Sequence, residues 1–325
     1  MTEAVWKKTK IPHPKAWETL VAGLLPVTLF LLFLKAPKIA SHAAREGLRL
    51  CGEAVIPSLF PFAVLSGMMV GNGLIFALPT KITRPVGRLF QLSHHGVCLL
   101  LPCLLCGFPI GAVCMADTVA KGRLSREEGE RMLLFCNLPS PAFCIGTLGA
   151  GFWGSTAIGG MLYGCALLSA ILAGICIRPK KEPPSPLPLS RDDRASFAVL
   201  LTSSLSGGAQ AMLSVSACVV FFTTVSEILR RILTVTGIPW QISSVADYLL
   251  ELSGAACRGA APGNISALLL CAFGVGWSGL SVHCQIQAVC QSRGITVKGY
   301  WTSKLCQGLL SALFMGLLCL FCPVI

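Results

Sequence analysis

The sequence predicts an all-α polytopic membrane protein of about eight transmembrane helices, in two related halves with broken or re-entrant helices. Three observations predict it. Only 12% of the 325 residues are charged and 54% are apolar, against roughly 25% and 45–50% in ordinary soluble domains. The mean hydropathy is +0.73. The charges also fall in short clusters separated by long uncharged windows. A soluble enzyme, a disordered chain and a fibrous repeat are excluded, because too little polar surface exists to solvate them.

The windows give the elements in order. A first apolar run, Leu20 to Leu34, follows Lys7, Lys8, Lys10 and Lys15 and lacks a small-residue cleavage site, so it reads as a retained span with a cytoplasmic N-terminus. Uncharged windows then cover 54–80 (27 residues), 89–116 (28), 132–177 (46), 195–226 (32), 259–292 (34) and 305–325 (21). About 20 residues make one crossing. Each window holds one span and the longest holds two, whereas the 15 residues from Ile232 to Ala246 suit a re-entrant segment. The net charge of +12 sits in loops and flanks, which argues against nucleic acid as a partner and for membrane lipid.

Most of the 17 cysteines lie inside apolar windows, where they pack as small hydrophobes. The CxxC spacings at Cys103–Cys106 and Cys319–Cys322 lack charged or His companions, so no metal and no cofactor is expected. Two basic rows flank the early spans: Lys38, His42, Arg45 and Arg49, then Lys81, Arg84 and Arg88. They suit either interfacial helices on anionic headgroups or an electropositive vestibule.

Arg178–Arg194 carries five prolines and eight charges in 17 residues and is read as a semi-rigid linker. It divides the chain into an N-terminal tail and first helix (1–37), a first membrane half (38–177), the linker (178–194) and a second membrane half (195–325). Shifting the chain by 172 places Gly107 on Gly279, Lys121-Gly122 on Arg293-Gly294 and Leu133 on Leu305, a faint internal repeat.

Candidate site residues lie where polar or helix-breaking residues fall deep in apolar windows. Ser125 and Glu128 form a capping box, so a helix starts at Arg126, with Glu127 and Arg131 paired at i, i+4. Six residues past Arg131, roughly 9 Å deeper, comes Asn137-Leu138-Pro139-Ser140-Pro141. The prolines open the backbone there, so Asn137 and Ser140 are either polar ligands at a broken helix or parts of a packing kink. Gly107, Pro109 and Gly111 form a second break near mid-depth, and Pro57 to Pro61 a third. In the second half, Ser278, Gly279, His283 and Gln285 occupy equivalent depth; His283 either meets a solute or proton or makes an interhelical hydrogen bond. Glu251 is a candidate coupling-ion ligand, with interfacial placement as the alternative. Glu227 is expected to pair with Arg230 and Arg231. No catalytic constellation is visible, and an enzyme is not expected.

The blocks AVIPSLFPFAVLSGMM (from Ala54), LLCGFPIGA (from Leu104), GRLSREEGERMLLFCNLPSPAF (from Gly122), LELSG (from Leu250) and GLSVHCQIQAV (from Gly279) carry a resemblance. They are similar to the sporulation integral membrane proteins of the YlbJ type, within the broader nucleoside-recognition, or Gate domain, membrane proteins. The resemblance implies a multi-pass protein of the bacterial cell membrane, with the mother-cell-derived membrane around the forespore as one location. It further implies a transporter-like role for a small anionic heteroaromatic solute, dipicolinate being favoured, bound between broken helices. A nucleoside permease, or a non-transporting scaffold for spore envelope assembly that recruits other sporulation membrane proteins, are the alternatives.

Overall fold

The computed structural model describes residues 16–179, 196–259, 261 and 263–321. The four N-terminal lysines, the linker beyond Pro179 and Cys322 lie outside the described residues. Among the described residues every regular element is helical.

Helix α1 (Ala16–Lys35) leads to α2 (Pro37–Leu50), which runs through a π-helical turn, Cys51–Val55, into α3 (Ile56–Gly71) as one 35-residue rod. Pro57 and Pro61 therefore do not break the chain as their spacing suggests. The Ile56 N–H reaches back five residues to the Cys51 carbonyl, and this wider turn relieves the clash that a proline ring makes in a regular helix. Nor does α2 lie alone on headgroups, because Ala43, Gly47 and Leu50 are buried and α2 packs along α9 (Phe197–Val235). Its basic residues stay exposed, with Arg49 held by Glu46 at 2.9 Å and Glu53 at 2.7 Å.

After α4 (Thr80–Phe90), α5 (His94–Leu105) and α6 (Ile110–Ala120) fold back on one another: a Cβ on Gly111 would stand 2.5 Å from the Cα of Cys103. Helices of 12 and 11 residues reach only about 18 Å, short of a bilayer core of about 30 Å. The window 89–116 thus holds a hairpin of half-length helices and not one crossing. Helix α7 (Arg126–Leu133) ends at the proline-rich break, followed by a π-helical segment, Phe143–Phe152, and α8 (Thr156–Cys176). In the second half, α10 (Trp240–Leu250), α11 (Leu252–Gly259), α12 (Ile265–Trp277), α13 (Leu280–Gln291) and α14 (Tyr300–Phe321) follow α9.

Five rods are long and apolar enough to cross a membrane: 37–71, α8, α9, α12 continued by α13, and α14. Their outward faces carry Leu213, Phe221, Leu309, Leu313 and Leu317 exposed, while Ser, Gln, Lys and His side chains are turned inward. This inversion of the soluble pattern is stable only in lipid.

The interior forms two apolar clusters. One gathers residues of α3, α5, α6, α9 and α13; the other gathers the 143–152 segment, α8, α12 and residues Tyr248 and Leu252. Neither coincides with a sequence half, because α8 packs on α12 and α14 while α13 packs on α6 and α9. The chain passes between the clusters at its breaks, at 136–142 and again at Ser278–Gly279.

One clamp outside the spans sets the first half's geometry. Ser125 caps α7 as expected, accepting from the Glu128 N–H at 3.2 Å. The Glu128 carboxylate leaves its own helix to accept the Ser93 N–H at 2.6 Å, capping α5, and burial pushes its pKa up against that hydrogen bond. Arg131 donates to the carbonyls of Phe90 and Gln91 at 2.8 and 2.5 Å instead of pairing with Glu127, since the carbonyl end of α4 attracts a cation. The i, i+4 pair that forms is Arg126–Glu130. Glu128→Ala is expected to cost about 1–3 kcal/mol by leaving a buried N–H without an acceptor. Glu128→Gln should cost less. Thermal unfolding in detergent measures both, and equal losses would show that charge, not an acceptor, is what Ser93 requires.

Candidate solute site between broken helices

Four breaks meet at the seam between the two clusters. The α5–α6 tip presents Gly107 at φ +74°, where a Cβ would lie 2.6 Å from the Ser140 backbone nitrogen, so only glycine allows this approach. The Phe108 N–H then donates to the Leu138 carbonyl at 3.1 Å, docking the hairpin on the proline-rich break. The second half repeats the device: Gly279, at φ +84°, sets its would-be Cβ 3.2 Å from the Leu252 nitrogen, against the break between α10 and α11.

The prolines leave carbonyls without helical donors, and α14 supplies them. Lys304 donates to the Asn137 carbonyl at 2.9 Å; Ser303 and Gln307 donate to the Leu134 carbonyl at 2.7 and 2.6 Å. Lys304 is fully buried. Gln307, one turn on and facing the same way, is the sequence feature that marks this inward polar face of α14.

The seam encloses a small cavity of about 30 Å³. Ser140, Glu251, Ser253, Ser281 and Gln285 supply its polar wall, with Phe108, Leu59 and Val215 among the apolar lining. Three helix starts face it: the segment beginning after Ser140, α11 at Leu252, and α13 at Leu280. A fourth, α6, begins two residues past Phe108. Helix N-termini carry unpaired N–H groups and about half a positive charge each. The Glu251 carboxylate meets one of them, accepting the N–H groups of Ser253 at 2.9 Å and Gly254. Ser140 Oγ meets another, accepting the Phe143 N–H at 3.1 Å. Gln285 Oε1 has no hydrogen-bond partner among the described residues.

The expected site residues fall into two groups. Ser140, Gln285 and Glu251 line the cavity; Gly107 and Pro109 flank its Phe108 wall, Gly279 backs Glu251, and Gly111 lies behind against Cys103. Asn137 and His283 meet elsewhere, around Tyr300. Asn137 Nδ2 donates to the Tyr300 hydroxyl at 2.9 Å, and the His283 ring stands edge-on to Tyr300 at 5.0 Å. His283 is also stacked with Trp301 and bonded through Nε2 to the Trp277 carbonyl at 3.0 Å. Ser278 is buried with its hydroxyl unpartnered among the described residues. Nearby, Asp247 accepts from Ser226 and pairs with Arg258 at 3.4 Å. Glu227 holds Arg230 and Arg231 as expected. Phe108 and Ser253 also line the cavity, while Tyr300 and Lys304 belong to the neighbouring cluster around Asn137, and only the structure singles these four out.

Inward polar groups, outward apolar faces and opened helices at a buried seam define a multi-pass integral membrane protein. The chain is similar to the sporulation integral membrane protein YlbJ of Bacillus subtilis (strain 168), 23% identical over 336 aligned positions that cover 90% of this chain and 82% of that protein. No family model matches the chain, and no solved structure matches it.

Gly107→Ala is expected to cost about 1–3 kcal/mol, since its methyl meets backbone that cannot swing aside. A lowered thermal midpoint would accompany it; an unchanged midpoint would mean that the two breaks do not depend on this contact.

Proposed function

We propose that the protein is a transporter-like membrane protein of sporulation that moves a small anionic, planar heteroaromatic solute, dipicolinate foremost, through the cavity at the seam of its two helical clusters. The observation that carries this reading is the gathering of helix N-termini at one buried point. Each favours an anion by up to about 2 kcal/mol where partly buried, and transporters use such broken-helix N-termini for anionic groups. The sporulation relationship supplies the setting. The cavity of about 30 Å³ is far below the ~150 Å³ that admits one benzene ring. The described conformation is therefore an occluded one in this reading, and the clusters must part for a ring to enter. Glu251 is the coupling group: it occupies one N-terminus as a resident anion and gives it up, by protonation or ion binding, when the solute arrives. No bond-making step is assigned to these residues.

Proteoliposomes test this. Wild-type protein should accumulate labelled dipicolinate over nucleosides, and Gln285→Ala should lower uptake at least tenfold with membrane levels unchanged. Glu251→Gln keeps an acceptor for α11 and should still bind solute while losing the response to an imposed proton or sodium gradient. No uptake by the wild type under either gradient would reject the reading.

A further inference from the structure

A second cavity of about 230 Å³ lies between α3, α6 and α9, and nothing above assigns it a role. Its mouth carries Asp117 and Lys121, at the end of α6; its walls are Ala63, Gly67, Gly71, Gly207 and Gly208; its inner end is Ile110. It stacks on the central cavity along three shared walls. On α3 the lining passes from Ala63 to Leu59, on α9 from Ala211 to Val215, and at the hairpin tip from Ile110 to Phe108. Four residues of helix are about 6 Å, so a single turn of side chains, Leu59, Val215 and Phe108, separates the two.

The chamber is not merely a gap left by small residues. Ser204 lines it, is 8% exposed, and makes no hydrogen bond among the described residues. Its neighbours Thr202 and Ser203 instead bond back to the carbonyls of Ala198 and Leu200 at 2.8 and 3.1 Å. A hydroxyl on the wall of a roomy cavity that makes no bond back to its own helix is suited to water or a polar solute. The mouth is basic on balance. Asp117 is neutralised by Arg293 at 2.7 Å, joining the ends of α6 and α13, and Lys121 stands exposed beside it. A cleft so charged draws in anions.

We propose that this chamber is the hydrated outer site through which a small anionic solute reaches the central cavity, with Leu59, Val215 and Phe108 as the inner constriction. The proposal rests on the transport reading for its solute, though not for its water.

Ser204→Cys, nearly isosteric, tests both parts. The full-length variant in proteoliposomes is treated with a sulfonated, membrane-impermeant methanethiosulfonate, and modification at position 204 is read by peptide mass. The exposed α8 position Gly164→Cys serves as the lipid-facing control. The expected result is modification at 204 and not at 164, slowed by millimolar dipicolinate, with uptake reduced at least tenfold once position 204 is blocked. No modification at 204 overturns the hydrated chamber. Modification that leaves uptake intact overturns its place on the route. Absent uptake by untreated wild type, with 204 modified and unprotected by dipicolinate, rejects the transport reading and the access role together while the hydrated chamber stands.

Discussion

The fold depends on one constraint: backbone opened inside an apolar interior must find partners or it does not persist. Pro139 and Pro141 open it, and three separate elements answer. The hairpin tip donates the Phe108 N–H to Leu138, α14 donates from Ser303, Lys304 and Gln307, and Ser140 caps the helix that resumes. These bonds tie residues far apart in sequence, so the break acts as a joint between the two clusters and not as a weak point within one. Gly107 and Gly279 are what let the backbones come close enough for it.

The same geometry concentrates positive potential. Helices interrupted at a common depth turn their N-termini toward a common point, and in a dry interior those partial charges are little screened. Glu251 sets its carboxyl oxygens at that point, where they accept the N–H groups of Ser253 and Gly254. Without it, two N–H groups at the start of α11 would be buried unpaired.

Much of this was legible in the sequence. Uncharged windows marked the apolar helices, and proline and glycine at mid-window marked the breaks. The windows could not distinguish one crossing from a hairpin of two short helices, because both need a similar uncharged length; residues 89–116 turn on Gly107–Pro109. They also could not show that a π turn stands just ahead of Pro57, which depends on hydrogen-bond register, or that Pro61 continues inside α3. Ser140, Gln285 and Glu251 were found by polarity at depth. Asn137 and His283 share that polarity but meet Tyr300 and Trp277 instead, with His283 Nδ1 left without a partner among the described residues. Polarity at depth identifies a residue that must be satisfied, not what satisfies it.

The faint repeat and the linker divide the sequence into two halves, whereas the packing divides the molecule differently. Helix α13 sits with α6 and α9, and α12 with α8 and α14, so the second half contributes to both clusters. Parting the sequence halves would tear both apolar cores. Parting the clusters disturbs their seam, where the chain is already unwound at 136–140 and at Ser278–Gly279, together with the end of α8 and the start of α14, which pack on the first cluster. Ser278 there holds φ +78°, a left-handed value unusual for a residue with a side chain. Such a position can absorb a change of direction without breaking a helical ladder. If the molecule opens, the least disruptive motion is therefore between clusters, hinged at the breaks, which exposes the central cavity along the α3–α9 wall it shares with the outer chamber.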